Sequence, residues 1–257
     1  MPNRVGGAVL PQIEIVDMAL EMKKRNTILS ERLQDEIRKN LERGEQTILL
    51  LNRRGHSTIV TCQACGYVYK CPYCDISLTY HKTSNNLRCH YCGYTVLKDN
   101  ICPECHEEAL NYMGLGTEKL EQTLKEMYKD ARIVRMDVDT TSNKGSHEKI
   151  INDFKEHKYD ILLGTQMISK GLDFPLVTLV GVINADSSLN IPDFRSGERT
   201  FELLSQVAGR AGRSNLAGRV IIQTFNPDNQ YLNFVKENSY EKFYNYEMNF
   251  RKTLKYS

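Results

Sequence analysis

At 257 residues with 40 % hydrophobic content the chain can fill one large core or two modest ones, and no run of about 18 apolar residues offers a membrane span. Its 34 Lys and Arg against 32 Asp and Glu leave a formal net charge of +2, so any nucleic-acid surface must come from local clustering and not from bulk charge. No signal-peptide core opens the chain, which makes a reducing cytoplasm the expected compartment and a disulfide framework the weaker reading of eight cysteines.

Residues 1–27 begin irregularly, with Pro2, Gly6, Gly7 and Pro11, then alternate as a strand-like Ile13-x-Ile15 run; they read as a linker or the end of a preceding domain. From Ser30 the pattern turns helical, with Leu33, Ile37 and Leu41 four apart, Ser30 as N-cap and Gly44 as C-cap. Gln46 to Leu51 is an uninterrupted apolar run, as expected of a parallel strand covered on both faces. Thr61 to Glu107 breaks the pattern: few aliphatics, many tyrosines and every cysteine of the chain, which suits short hairpins packed on metal sites and not on a core of their own. The α/β alternation then resumes. Helices are predicted over 118–128, 146–156 and 198–211, strands over 131–136, 160–164, 176–184 and 219–225, and a mostly helical tail over 228–255. This is an α/β fold: one parallel, doubly wound sheet with the cysteine segment inserted after its first strand.

The cysteines form four C-x-x-C pairs, Cys62/Cys65, Cys71/Cys74, Cys89/Cys92 and Cys102/Cys105, each in turn-forming sequence beside Gly66, Pro72, Gly93 or Pro103. One such turn offers two thiolates to a tetrahedral ion at about 2.3 Å, so four pairs make two closed Cys₄ zinc sites. Spacing alone leaves nested, sequential and interleaved pairing open. Zinc would supply folding free energy on the order of 10 to 16 kcal/mol per site to a segment poor in apolar residues. Eight thiolates leave no open metal position, which excludes a zinc hydrolase, and the six histidines show no H-E-x-x-H spacing. They read as surface residues, although His90 and His106 abut ligands and are candidates for a mixed site.

The octapeptide Gln206-Val-Ala-Gly-Arg-Ala-Gly-Arg213 predicts Arg210 and Arg213 on one helix face near its end. Arginine there pairs bidentately with phosphate; a lone R-x-x-R would be a solvated helix end. The full octapeptide resembles motif VI of superfamily 2 helicases, whose arginines reach a nucleotide held by the other lobe. Asp160 to Phe174, with its Gly164-Thr165 turn and Lys170-Gly171-Leu172-Asp173, resembles their motif V, and Asn52-Arg53-Arg54-Gly55 their motif IV. Together with the four cysteine pairs, Gly114-Leu-Gly-Thr-Glu118, Ala185-Asp186, Pro192-Asp-Phe-Arg195 and Glu198-Arg199, these segments resemble the PriA family of bacterial replication-restart helicases over about residues 13–225.

That resemblance implies a RecA-like second motor lobe carrying a two-zinc insertion. Residues 1–27 are then inter-lobe linker, 28–60 and 108–226 the lobe, 61–107 the zinc insertion, and 227–257 the helical start of a further domain. It implies nested pairing, Cys62, Cys65, Cys102 and Cys105 on one zinc and Cys71, Cys74, Cys89 and Cys92 on the other. It implies catalytic roles for Gln206, Arg210 and Arg213, ATP coupling through Gly171 and Asp173, and DNA contacts through Asn52, Arg53, Arg54, Thr165 and Thr117. No G-x-x-x-x-G-K-[ST] loop and no D-E-x-H box occur, so ATP and Mg²⁺ belong to a longer enzyme and the piece alone is expected to be inactive. Implied partners are single-stranded and forked DNA, single-stranded DNA-binding protein and primosome or helicase-loader proteins, with no membrane. Tyr67, Tyr69, Lys70, His81, Lys82, Arg88 and His90 between the ligands suit a fork wedge or a docking surface. The other reading is a non-motor zinc-ribbon module that binds nucleic acid or docks a primosome.

Overall fold

A computed structural model describes residues 10–24, 28–51, 58–74, 76–81, 83–97, 99–111, 116–142, 145–165, 168, 174–191, 193–212 and 217–253. The chain enters as strand β1 (Gln12–Asp17), runs through helix α1 (Met18–Lys23) into α2 (Glu31–Arg43), and returns as β2 (Gln46–Leu50). The caps of α2 are those the sequence suggests. Ser30 Oγ accepts from the Leu33 amide at 3.2 Å, a contact of about 1 kcal/mol, and Gly44 closes the helix at φ 65°.

The insertion follows as β3 (Thr58–Ile59), β4 (Thr61–Cys62), β5 (Thr79–His81), β6 (Asn86–Arg88), β7 (Thr95–Leu97) and β8 (Leu110–Asn111). It builds an antiparallel sheet β3-β5-β6-β7 and a β4-β8 pair. Then come α3 (Thr117–Met127), β9 (Ile133–Met136), α4 (Ser146–Lys155), β10 (Ile161–Gly164), β11 (Val177–Val182), α5 (Asp186–Leu189), α6 (Ser196–Ala208), β12 (Arg219–Thr224), α7 (Gln230–Lys236) and α8 (Tyr240–Thr253).

The main sheet has the order β1-β12-β11-β2-β10-β9, and every pairing in it is parallel. Apolar residues cover both faces, as the unbroken run in β2 requires. Ile48 and Leu50 join a cluster with Phe154, Leu204, Val207 and Leu232, while Leu49 and Leu51 join one with Leu33, Ile37, Leu120 and Leu124. None of the described helices is long and apolar enough to cross a membrane.

Three expectations are refined. Ile13-x-Ile15 lies not in a linker but in the edge strand β1, paired with β12 from Gln12 to Asp17. The helical tail packs on the lobe: Leu232, Phe234, Val235 and Phe243 are buried in the same cluster as the sheet residues. The insertion does possess a small core, made by Val60, Leu78 and Leu87 with Cys71 and Cys89.

Candidate functional site

Among the described residues, the turns that begin at Cys62, Cys89 and Cys102 share one backbone device. The Gly66, Gly93 and His106 amides donate to the carbonyls of Cys62, Cys89 and Cys102 at 2.9, 3.0 and 2.9 Å, and all three residues take positive φ, 78°, 78° and 61°. The turn aims amides at sulfur: Ala64 and Cys65 at Cys62, Tyr91 and Cys92 at Cys89, Glu104 and Cys105 at Cys102. His106 thus fills the left-handed position of its turn, and His90 Nε2 lies 3.2 Å from His81 Nε2. Neither histidine belongs to a metal-ligand cluster, so the mixed-site expectation falls away.

The sulfurs gather in two groups, Cys62, Cys65, Cys102 and Cys105, and Cys71, Cys74, Cys89 and Cys92, each set within 4.8 Å. That is the nested arrangement. Cys62–Cys105, Cys65–Cys102 and Cys71–Cys92 are 3.6, 3.7 and 3.5 Å apart. A tetrahedron with Zn–S of about 2.3 Å has an edge of about 3.8 Å, whereas a disulfide needs about 2.05 Å. The donor set therefore fits zinc, and all eight cysteines are free thiols. Without a cation the thiols oppose one another's ionisation. Desolvation and neighbouring thiols push Cys65 and Cys74 up to about 12. At Cys89 burial acts upward too, yet the Cys92 and Tyr91 amides prevail and bring it down to about 7. A divalent ion would supply the charge that lets four thiolates coexist.

The two clusters differ in support. The second has the small apolar core around it, while the first leans on the main sheet, where a Cβ on Gly66 would lie 2.4 Å from the Phe225 carbonyl oxygen just past β12. Phe225 is held from behind. Its amide and the Thr224 hydroxyl donate to the Asp186 carboxylate, both at 2.9 Å. Asp186 is only 5 % exposed, and burial raises its pKa against those two hydrogen bonds.

The motor-type residues separate to opposite ends of the sheet. At the carboxyl ends of the strands, the usual ligand side of such sheets, the Thr165 amide reaches the Met136 carbonyl at 3.4 Å, and the next residue, Asp137, accepts the Thr117 hydroxyl at 2.8 Å. Thr165 and Thr117 are thus brought together through Met136 and Asp137. Thr117 is 9 % exposed and its hydroxyl is engaged. Gly164 admits no side chain, since a Cβ there would lie 2.8 Å from both the Met136 carbonyl and Ile168 Cγ2. At the amino end of β11 the Val177 amide bonds the Phe174 carbonyl at 3.1 Å, and the Val177 carbonyl accepts from Gly212 at 3.0 Å. The ends of the two helicase-like segments, 160–174 and 206–213, therefore meet there.

Arg210 is not on a helix. α6 stops at Ala208, and the Arg210 and Ala211 amides bond back to the Val207 and Ala208 carbonyls in a tighter turn before Gly212 takes φ 66°. Two glycines within the octapeptide make that break cheap. Gln206 is exposed on the last turn of α6. Asn52, Arg53, Arg54, Gly171, Asp173, Arg213 and Lys82 lie outside the described residues.

Among the aromatics of the insertion, Tyr67 and Tyr69 pack edge to face on each other at 5.2 Å and are half-buried. The open rings are Tyr73 and Tyr91, 78 % and 63 % exposed, one inside each turn of the second cluster. Their signal was a tyrosine between two ligands, where the short turn has no room to fold it inward.

Residues 71–96 match a family model described as the PriA DNA helicase Cys-rich region domain, and residues 96–215 one described as the helicase conserved C-terminal domain. The chain is 49 % identical over 257 residues to the replication restart protein PriA of Bacillus subtilis, covering 100 % of this chain and 32 % of that protein. It is 45 % identical to the protein of the same name from Synechocystis, covering 100 % of this chain and 31 % of the relative. The chain thus spans about a third of these relatives' length. A solved structure of RecG bound to a three-way DNA junction aligns with TM-score 0.50 at 14 % identity, over 94 % of this chain and 22 % of that one, which is a likeness of fold.

Proposed function

The chain belongs to the PriA family, and on that premise we propose that it is the second motor lobe, with its two-zinc insertion, of a longer ATP-dependent DNA helicase acting in replication restart. The observation that carries the reading is the separation of the two residue groups. Thr165 and Thr117 gather at the carboxyl ends of the strands, while Phe174 and Gly212 both bond Val177 at the amino end of β11. A motor needs that distinction, because its nucleotide and its DNA track occupy different surfaces that one rigid sheet can couple.

In this proposal Arg210 and Arg213 neutralise charge on the phosphoryl group of a nucleotide bound across the cleft, with Gln206, Gly171 and Asp173 relaying its state. ATP and Mg²⁺ would be held mainly by the other lobe, for this sequence contains neither phosphate loop nor D-E-x-H box. Asn52, Arg53, Arg54 and Thr165 hold the DNA backbone, and Thr117 contributes through the start of α3. Translocation runs 3′ to 5′ on single-stranded DNA at stalled forks, and the enzyme works with single-stranded DNA-binding protein and helicase-loader proteins in the bacterial cytoplasm. Zinc at the two Cys₄ sites is structural and holds the insertion in shape. Its exposed Tyr73 and Tyr91 suit stacking on bases of separated strands.

Arg210→Ala in the longer enzyme should lower DNA-stimulated ATPase by about 10³-fold while DNA affinity holds. Unchanged turnover would remove the arginine assignment, and ATP hydrolysis by the 257-residue chain alone would overturn its reading as one lobe of two.

A further inference from the structure

We infer that Asp186 is a positioning residue for the first zinc site: it fixes the stretch after β12 on which the Cys62–Gly66 turn rests. A buried carboxylate is costly unless its oxygens are satisfied, so its partners indicate its task. Oδ1 accepts from the Thr224 hydroxyl and Oδ2 from the Phe225 amide, both at 2.9 Å. Thr224 Oγ1 in turn accepts from the Asn226 amide at 3.0 Å, and the Ala185 amide bonds the Gln223 carbonyl at 3.1 Å. The carboxylate thereby orients Thr224 and Phe225 directly, and Asn226 through the Thr224 hydroxyl, where the sheet pairing of β12 ends.

The Phe225 carbonyl is the seat. A Cβ on Gly66 would lie 2.4 Å from its oxygen and 3.2 Å from its carbon, so the turn sits on the peptide with no gap. Gly66 is also the residue whose amide closes that turn on the Cys62 carbonyl at 2.9 Å. A shift of Phe225 therefore moves the backbone that shapes two zinc ligands, Cys62 and Cys65. Among the described residues the second site shows no such link: its ligands Cys71 and Cys89 pack with Val60, Leu78 and Leu87. Asp186 thus acts on one site of the two.

The inference rests on the two-zinc reading, which metal analysis of the chain checks first, with about two zinc ions expected. Cys89→Ser then removes the second site, and zinc release from the first to a chromophoric chelator is followed in that background. Asp186→Ala and Thr224→Val should each speed release about tenfold, a size typical of changes behind metal ligands. Asp186→Asn, which keeps an acceptor for the Phe225 amide but removes the one for the Thr224 hydroxyl, should fall between the parent and Asp186→Ala. Leu124→Ala, a cavity in the cluster over the other face of the sheet, should lower the melting temperature and leave release unchanged. Should Asp186→Ala not fold, Thr224→Val decides. Parent-like release in the Ala and Val variants, or equal acceleration by Leu124→Ala, would overturn the assignment; fewer than two zinc ions in the unaltered chain would instead remove the reading beneath it.

Discussion

Gly66, in the first zinc turn, and Phe225, just past β12, are far apart in sequence and in backbone contact in the fold. A Cβ on Gly66 would meet the Phe225 carbonyl oxygen at 2.4 Å, and Gly66 also takes φ 78°. Gly66→Ala meets both obstacles at once, left-handed backbone and a collision with backbone that cannot rotate away. It should cost roughly 1–3 kcal/mol and loosen the first site. Thermal melting with metal analysis reads this out, and parent-like stability with full zinc content would mean the turn does not rest on Phe225.

The two zinc sites should differ in what their loss does to the sheet. Cys89→Ser should drop metal content from about two ions to about one and leave amide exchange at Phe225 and Asn226 unchanged. Cys62→Ser should also remove one ion, yet raise exchange at those two amides, because the turn that rests on Phe225 is lost. Identical exchange maps for the two variants would show that both sites stand equally apart from the lobe.

What the sequence disclosed depended on how local each signal was. Ser30 and Gly44 bracket α2 because caps act within a turn, and the run in β2 announced a strand buried on both faces. The zinc turns were legible for the same reason, since each ligand pair lies within four residues. Ile13 and Ile15 announce a strand by their alternation, but nothing near them names its partner: β1 pairs with β12, at the far end of the lobe. Nothing adjacent to Gln223 or Asp186 in the sequence names what their side chains will bond. In the fold Gln223 is fully buried and bonds the Ser30 amide and the Ile28 and Ile183 carbonyls, contacts created only by tertiary approach. The end of α6 was misread because helical spacing continues through Gly209, while the chain tightens there to bring Gly212 against Val177.

Glu36 sets an acid limit on stability. It is 1 % exposed and is met by Arg32 at 2.6 Å, Lys39 at 2.8 Å and Arg219. Burial alone would raise its pKa, but the hydrogen bonds from Lys39, Arg32 and Arg219 outweigh it and hold it at about 2. A depressed carboxyl stabilises fully above its unfolded value and loses that contribution as pH falls toward its folded value. From about pH 4.5 down to about 2 the chain should therefore lose on the order of 2–3 kcal/mol through this group. Glu36→Gln should be less stable at neutral pH and show a flatter decline over that window in denaturant melts. A parallel pH profile for parent and variant would show that the three cations do not act on Glu36.

Gly197 tests whether the tail belongs to the lobe. It lies in the first turn of α6, where alanine would ordinarily gain about 1 kcal/mol in helix propensity. A Cβ there would instead fall 2.2 Å from Tyr231 Cζ and about as close to both neighbouring ring carbons, 2.5 and 2.6 Å. The ring has nowhere simple to go. Its hydroxyl donates to Glu247 Oε2 at 2.8 Å, Arg251 ties Glu247 to Glu198 at 2.8 and 2.6 Å, and Phe201 stacks on Phe243 at 4.1 Å beside it. Gly197→Ala should therefore destabilise by roughly 1–3 kcal/mol despite its better propensity. Tyr231→Leu alone should also destabilise, yet the double variant should be more stable than the sum of the two predicts, because the smaller side chain makes room for the methyl group. Thermal melts of the four proteins close this cycle, and a stabilised Gly197→Ala would mean that α7 does not press Tyr231 onto α6 in solution.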